Sequence, residues 1–145
     1  MYVITFANPK GGSGKTTAAM LLAEQIAVSG GRVALLDLDP NANIIAWSRN
    51  RTEEGRGVPF TVHARPQAED TVALIDSLAD SVDYLIIDLE GSKDQIVTFA
   101  LSRTDLCVIP LDGSPMEARQ AAAAVRLVQS TSAMIRAPIA YTLLF

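Results

Sequence analysis

Six short runs of apolar or β-branched residues punctuate the chain, at residues 2–7, 32–36, 59–63, 84–87, 106–109 and 139–144. Apart from the more polar stretch 60–63, they lack the alternation of a strand with one wet face, so they read as strands covered on both sides. Between them lie stretches of helical spacing. Residues 16–29 carry Met20, Leu22, Ala23, Ile26 and Ala27 and stop at Gly30-Gly31, a helix-ending signal. Residues 67–78 and 115–129 read likewise, the second opened by Ser114 as N-cap with Pro115 at the first helical position. A further helix is expected to carry Ile44, Ile45, Trp47 and Arg51, and residues 49–58 read as a solvated connection. Strand alternating with helix predicts right-handed crossovers and a mostly parallel, doubly wound α/β sheet with helices on both faces, in one domain over 1–145. Such sheets bind ligands beyond the carboxyl ends of their strands, here where Ala7, Leu36, Ile87 and Ile109 end. Leu143-Leu144-Phe145 closes an apparent buried strand with no helix after it, so the C-terminal part of the fold is expected to be missing.

Composition narrows the classes. Over 145 residues, 49% hydrophobic and 19% charged content suits a globular chain with its own core and argues against disorder, collagen or a coiled coil. Sixteen acidic residues against twelve basic ones leave a net charge of −4, so a DNA contact would need a local patch. The single cysteine, Cys107, excludes an internal disulfide framework and any four-cysteine metal or cluster site built by one chain. No apolar run approaches the ~20 residues of a membrane span, and no cleavable leader pattern opens the sequence. A reducing, cytoplasmic setting is expected.

The chemistry begins between the first strand and the first helix. Asn8-Pro9-Lys10-Gly11-Gly12-Ser13-Gly14-Lys15-Thr16-Thr17 stands where a phosphate loop must stand. Glycines let backbone N–H groups converge on phosphate oxygens, and the helix N-terminus adds its dipole. Gly11, Gly12, Ser13, Gly14, Lys15, Thr16 and Thr17 are the candidate ATP-binding residues: Lys15 to neutralise the β and γ phosphates, Thr16 to ligate Mg²⁺ through its hydroxyl. Six specified positions at about 7% frequency each match by chance on the order of 10⁻⁵ over this length. The usual pattern has glycine at position 9; here Pro9 stands there and a second lysine, Lys10, follows.

Two further strand ends carry acids. Asp37-Leu38-Asp39-Pro40 follows the second run, and Asp88 ends Tyr84-Leu85-Ile86-Ile87-Asp88, a buried strand closed by a carboxylate that would hold Mg²⁺ through water. Next comes Leu89-Glu90-Gly91-Ser92. Glu90 is left open between a solvated loop carboxylate and a part of the γ-phosphate network. Cys107 reads as a packed core thiol, His63 as structural and Trp47 as a helix anchor.

The loop Lys-Gly-Gly-x-Gly-Lys-Thr resembles that of the deviant Walker A ATPases of the ParA/MinD family, a SIMIBI-type branch of the P-loop NTPases, and the resemblance extends over essentially the whole chain. It implies that Lys10 reaches across a dimer interface to the partner's bound phosphates, supplying there the charge of an arginine finger. It likewise implies that Asp37 serves the magnesium water shell and Asp39 the attacking water, so that Lys10, Lys15 and Asp39 are catalytic and Thr16, Asp37 and Asp88 serve the metal. The family usually continues the Asp88 strand with Thr-Pro-Pro, from which this chain departs. The chain opens on the first strand and resembles the short members without an N-terminal helix-turn-helix.

The function so implied is an ATPase that forms a homodimer on binding ATP and partitions or positions cargo, such as plasmid or chromosomal DNA, protein clusters or transfer DNA. A ParB-like or other stimulating adaptor protein and non-specific DNA are the partners expected, in a bacterial cytoplasm and on the nucleoid; a MinD-like membrane association is the less favoured variant. Two rival classes share the loop: ATP-dependent ligases such as dethiobiotin and cobyrinate synthetases, and an adaptor that binds nucleotide without turnover. Turnover without a small substrate separates the first, and the intact Lys10, Lys15, Asp39 and Asp88 count against the second. The nitrogenase iron protein branch needs two cysteines per subunit, which this sequence lacks.

Overall fold

The computed structural model describes residues 1–8, 14–90 and 94–145. In chain order the elements are β1 (Tyr2–Asn8), α1 (Lys15–Val28), β2 (Val33–Asp37), α2 (Asn43–Glu53), β3 (Thr61–His63), a 3-10 turn (Ala68–Asp70), α3 (Thr71–Ser77), β4 (Tyr84–Glu90), α4 (Gln95–Leu101), β5 (Leu106–Pro110), α5 (Pro115–Ile135) and β6 (Ala140–Leu144). The strands form one six-stranded sheet in the order β3-β2-β4-β1-β5-β6, every pair parallel. All six runs anticipated from hydrophobicity are strands. β1 sits at the switch of direction: the chain leaves it for β2 on one side, returns through β4, and continues to β5 on the other.

The lack of alternation has its physical reason in two cores. Ile4, Phe6, Val33, Leu35 and Ile86 face α1 and α2, whereas Val3, Ala34, Leu36, Leu85 and Ile87 face α3, α4 and α5. Successive strand residues point to opposite faces, so a sheet sandwiched by helices needs apolar side chains at both parities. β2 is accordingly buried at all five positions.

The glycines that end α1 work as expected. Gly30, at φ +87°, donates its N–H to the Ala27 carbonyl, and Gly31 donates to that of Ile26, the two bonds of a Schellman motif. A Cβ on Gly31 would lie 2.7 Å from Ile26 Cγ2 and 3.1 Å from the Ile26 oxygen, so neither position accepts a larger residue freely.

Four expectations are corrected. The stretch expected as a loop from 49 to 58 belongs to α2 as far as Glu53, because Ile44 and Trp47 bury one face of that helix in the core beside Phe60. α5 runs six residues beyond the expected end at 129: Thr131 is buried at 3% exposure, and Ser130 and Ser132 spend their hydroxyls on the carbonyls of Leu127 and Ala137. α4, between Asp88 and Leu106, had no helix assigned; it is only seven residues long, but Ile96, Val97, Ala100 and Leu101 bury one side of it. Finally, β6 is not a buried strand. All five of its residues are exposed, because it pairs only with β5 and the core beneath α5 reaches Cys107, Ile109 and Ile139 and stops there.

Candidate functional site

Three strands deliver the site. In the sheet register Asp37 at the end of β2 lies opposite Asp88 on β4, and Asn8 at the end of β1 lies opposite Glu90. Asn8 is buried and donates its side-chain amide to the Pro110 carbonyl at 2.7 Å, tying the end of β1 to the end of β5. Lys10, Gly11, Gly12 and Ser13 lie outside the described residues. The next described residue, Gly14, is the N-cap of α1 at φ +78°, a conformation that an L side chain strains to adopt. It supplies no side-chain cap, and the first turn of α1 carries no acid. The positive end of the helix is thus left for a ligand, whereas α4 and α5 are capped by Asp94 and Ser114.

Lys15, the first residue of α1, is buried at 4% exposure. Its Nζ stands 2.8 Å from Asp88 Oδ1 and 3.5 Å from Asp39 Oδ2. Thr16 donates its hydroxyl to the other oxygen of Asp88 at 2.8 Å. An ammonium so enclosed is tolerated only because carboxylates surround it. Asp39 is positioned by its own turn, where its Oδ1 accepts the Asn41 N–H at 2.9 Å. Gly14, Lys15, Thr16, Thr17, Asp39, Asn41 and Asn43 line a cavity of about 250 Å³.

Asp37 has another set of partners. Oδ2 accepts the N–H groups of Ile44 and Ile45, each at 3.1 Å, and Oδ1 accepts that of Asp39 at 3.3 Å. It therefore caps α2 from five residues before the N-cap position, which Ala42 occupies in the left-handed region at φ 52°. Burial holds the Asp37 carboxyl above the usual carboxylate range; the bond from Ile45 opposes this, and the neighbouring charge of Asp88 adds to it.

The structure thus brings Gly14, Lys15, Thr16, Thr17, Asp39 and Asp88 to one crevice, with Asp37 one strand position away. Lys15 faces both Asp88 and Asp39, and Asp37 stands beside Asp88, so carboxylates outnumber the ammonium in this buried cluster. Hydroxyl and carboxylate oxygens with surplus negative charge are the donor chemistry of a magnesium ion. Among the described residues no group of three or more His, Cys, Asp or Glu is arranged to hold a metal ion alone. A magnesium ion here would therefore share its coordination with water and phosphate, its usual habit in phosphoryl-transfer sites. Glu90, half-buried at the end of β4, lies beside Asn8 at the rim. The sequence reading passed over Arg65, which touches both the Asp37–Asp39 turn and α4. An arginine before a proline in a connection carries no signal of such a role.

The chain matches the family model described as ATPase MipZ over residues 2–141. It is 31% identical to the protein ParA of Rhizobium radiobacter over 147 residues, covering 100% of this chain and 64% of that one. It is 32% identical to the chromosome-partitioning ATPase Soj of Thermus thermophilus, covering 74% of this chain and 53% of the relative. A plasmid partition protein of Borrelia burgdorferi bound to AMPPNP shares the fold, with a TM-score of 0.75 at 20% identity over 98% of this chain and 74% of that one. The chain thus spans less than two thirds of the length of either curated relative. No helix among the described residues is long and apolar enough to cross a membrane. With a lysine and a threonine opening the helix after β1, acids closing β2 and β4, and the family match running through nearly all of its length, the chain belongs to the ATPase MipZ family, within the ParA/MinD group of P-loop ATPases.

Proposed function

We propose that the protein is an ATP-dependent switch that partitions or positions cargo, closing into a homodimer with ATP and reopening on hydrolysis. The observation that carries this reading is the buried Lys15 ammonium shared between Asp88 and Asp39 at the mouth of the β1–β4 crevice. Triphosphate oxygens compete for the same ammonium. With Lys15 taken as countercharge, the Thr16 hydroxyl would be free to hold Mg²⁺ directly and Asp88 to hold it through water. The ion, when bound, neutralises charge on the β and γ phosphates. Gly14 and the first turn of α1, with Thr17, line the cradle, and the loop pattern assigns Gly11, Gly12 and Ser13 the same phosphate-binding role.

In the hydrolytic step the water oxygen bonds to the terminal phosphorus, the bond to the ADP oxygen breaks, and the water proton is released. Asp39 places a carboxyl acceptor at the edge of the cavity and is suited to orient that water and take its proton. Asp37 holds the acid-bearing turn to α2 and stands beside Asp88, where it would add negative charge to the water shell of a bound magnesium ion. Lys10 supplies positive charge across the dimer interface. The names of the relatives support cargo in the form of replicons; the ParB-like adaptor stimulating turnover, non-specific DNA as the track and the bacterial cytoplasm are what the family resemblance implies.

Calorimetry and turnover assays together test this. Lys15→Ala is expected to lose most of its ATP affinity, because the buried polyphosphate loses its central countercharge. Asp39→Ala is expected to bind ATP as the parent does and to turn over about 10²- to 10⁴-fold more slowly. Unchanged ATP affinity in the first variant, with circular dichroism showing an intact fold, overturns the phosphate site. Parental turnover in the second overturns the role of Asp39 and makes Glu90 the next acid to test.

A further inference from the structure

Arg65 lies in the connection between β3 and the 3-10 turn, directly before Pro66, whose ring confines the preceding backbone to extended conformations. Its guanidinium spans two segments distant in sequence. Nη1 donates to the Leu38 carbonyl at 2.7 Å, and Nη2 to the Asp94 carboxylate at 2.5 Å. Leu38 is the residue between Asp37 and Asp39. Its own N–H donates to the Asp88 carbonyl at 2.9 Å, so this turn is also tied to the end of β4.

The peptide unit joining Leu38 to Asp39 is therefore held at both of its polar ends. Arg65 takes the oxygen, and the Asp37 carboxylate takes the N–H at 3.3 Å. Because a peptide unit is planar, two such bonds set the orientation of the whole plane, and that plane sets the direction in which Asp39 leaves the backbone. At the other end of the guanidinium, Asp94 is the N-cap of α4, accepting the Ile96 N–H at 3.4 Å. The hydrogen bond from the Ile96 N–H, and after it that from Arg65, hold the Asp94 carboxyl below the usual carboxylate range.

We propose that Arg65 is a positioning residue that fixes the Leu38–Asp39 peptide against the start of α4 and so aims the Asp39 carboxylate at the attacking water. The inference rests on the role of Asp39 given above. Arginine is the residue suited to it: a planar fork reaches a carbonyl and a carboxylate at once, which the point charge of a lysine does not. The Arg65 and Asp94 side chains are 29% and 42% exposed, and ion pairs so placed add little to stability. The effect of Arg65 is geometric and falls on turnover.

The test compares ATP turnover, well below the melting temperature, with calorimetric ATP affinity in a set of variants. Arg65→Ala is expected to lower kcat roughly 10- to 100-fold, the scale of a small misplacement of a catalytic group, with ATP affinity and melting temperature near those of the parent. Arg65→Lys should recover only part of that loss. Asp94→Asn, which keeps a good helix cap and weakens the charged bond, should fall between. In an Asp39→Ala background the Arg65 substitution should cost nothing further, since the two act through one group. If Arg65→Ala turns over at the parental rate while Asp39→Ala is slow, the clamp is wrong and the role of Asp39 stands. If Asp39→Ala itself turns over normally, the reading of the site fails and takes the clamp with it. Additive losses in the double variant, or a fall in stability or ATP affinity matching the fall in kcat, assign Arg65 a structural role instead. Should Arg65→Ala fold poorly, Arg65→Lys and Asp94→Asn carry the same comparison.

Discussion

Single side chains in this protein are held by opposed forces that can be weighed. Lys15 is charged in a nearly dry setting because Asp88 and Asp39 face it, and the same enclosure makes it responsive to an incoming anion. Ala42 adopts φ 52° without being glycine, a conformation that costs roughly 1–2 kcal/mol. Part of that strain is recoverable. Ala42→Gly removes the Cβ clash and loses about 0.4–1 kcal/mol to greater unfolded-state freedom, so a net gain between zero and about 1.6 kcal/mol is expected in urea unfolding. Cys107, fully buried in the core under α5, has its thiol pushed up by burial to about 12 from 9.0. The folded chain thus holds the thiol proton more tightly than the unfolded one. The resulting stability is whole below pH 9 and is lost as pH rises towards 12, by at most about 1.4 kcal/mol per pH unit. Denaturation of Cys107→Ala beside the parent should show the shallower decline above pH 9 in the variant.

At the scale of elements, helix ends divide the labour. α5 begins with Ser114, whose hydroxyl accepts the Glu117 N–H at 3.2 Å, and Glu117 in turn accepts the Asp112 N–H. α4 begins with Asp94. These ends are sealed and serve stability. Ser114→Ala should lower stability by about 1 kcal/mol, a drop of about 3 °C in melting temperature, without touching ATP affinity. α1 is open at its N-terminus, and α2 is closed only from a distance, by Asp37. α1, α2 and α3 all lack a side-chain cap of their own, and the first two of them begin beside the crevice. α2 is also anchored at its middle, where Trp47 stacks on Phe60 at 6.2 Å and Arg51 lies 5.1 Å over the indole. Its first turn is bonded to Asp37, at the start of the turn that presents Asp39.

For the molecule as a whole, parallel pairing throughout the sheet places every strand's carboxyl end on one side, so residues from β1, β2 and β4 meet without any of them being close in sequence. The charge of −4 is not that of a general polyanion binder, and a DNA track would require a local basic patch, either beyond residue 145 or from arginines pooled across the proposed dimer. On the function proposed above, Lys10→Ala should leave nucleotide binding to the monomer intact and abolish the ATP-dependent dimer in light scattering. A dimer that still forms with ATP in that variant contradicts the role of Lys10 across the interface.

The sequence by itself determined what is local. Strand runs follow from apolar residues at both parities, α1 from its spacing and Gly30-Gly31, α5 from Ser114 and Pro115, and the candidate phosphate loop from its position between β1 and α1. These signals rest on neighbours within a few residues, where periodicity, capping and turn geometry operate. What only the tertiary structure decided depends on contacts across long separations. Lys15 meets Asp88 over 73 residues and Asp39 over 24. Asp37 turned out to cap α2, which no residue type announces, because a carboxylate suits a metal shell and a helix end equally. α4 escaped notice because seven residues hold too little periodicity to read, and it exists by packing Ile96, Val97, Ala100 and Leu101 on the sheet. β6 looked buried from its apolar residues, yet exposure is set by what lies over a strand, and the core beneath α5 ends at its threshold. Arg65 owes its partners to the path of β2, β3 and α4 together, and a residue that acts by joining separate segments becomes visible only once the chain has brought those segments within a guanidinium's reach.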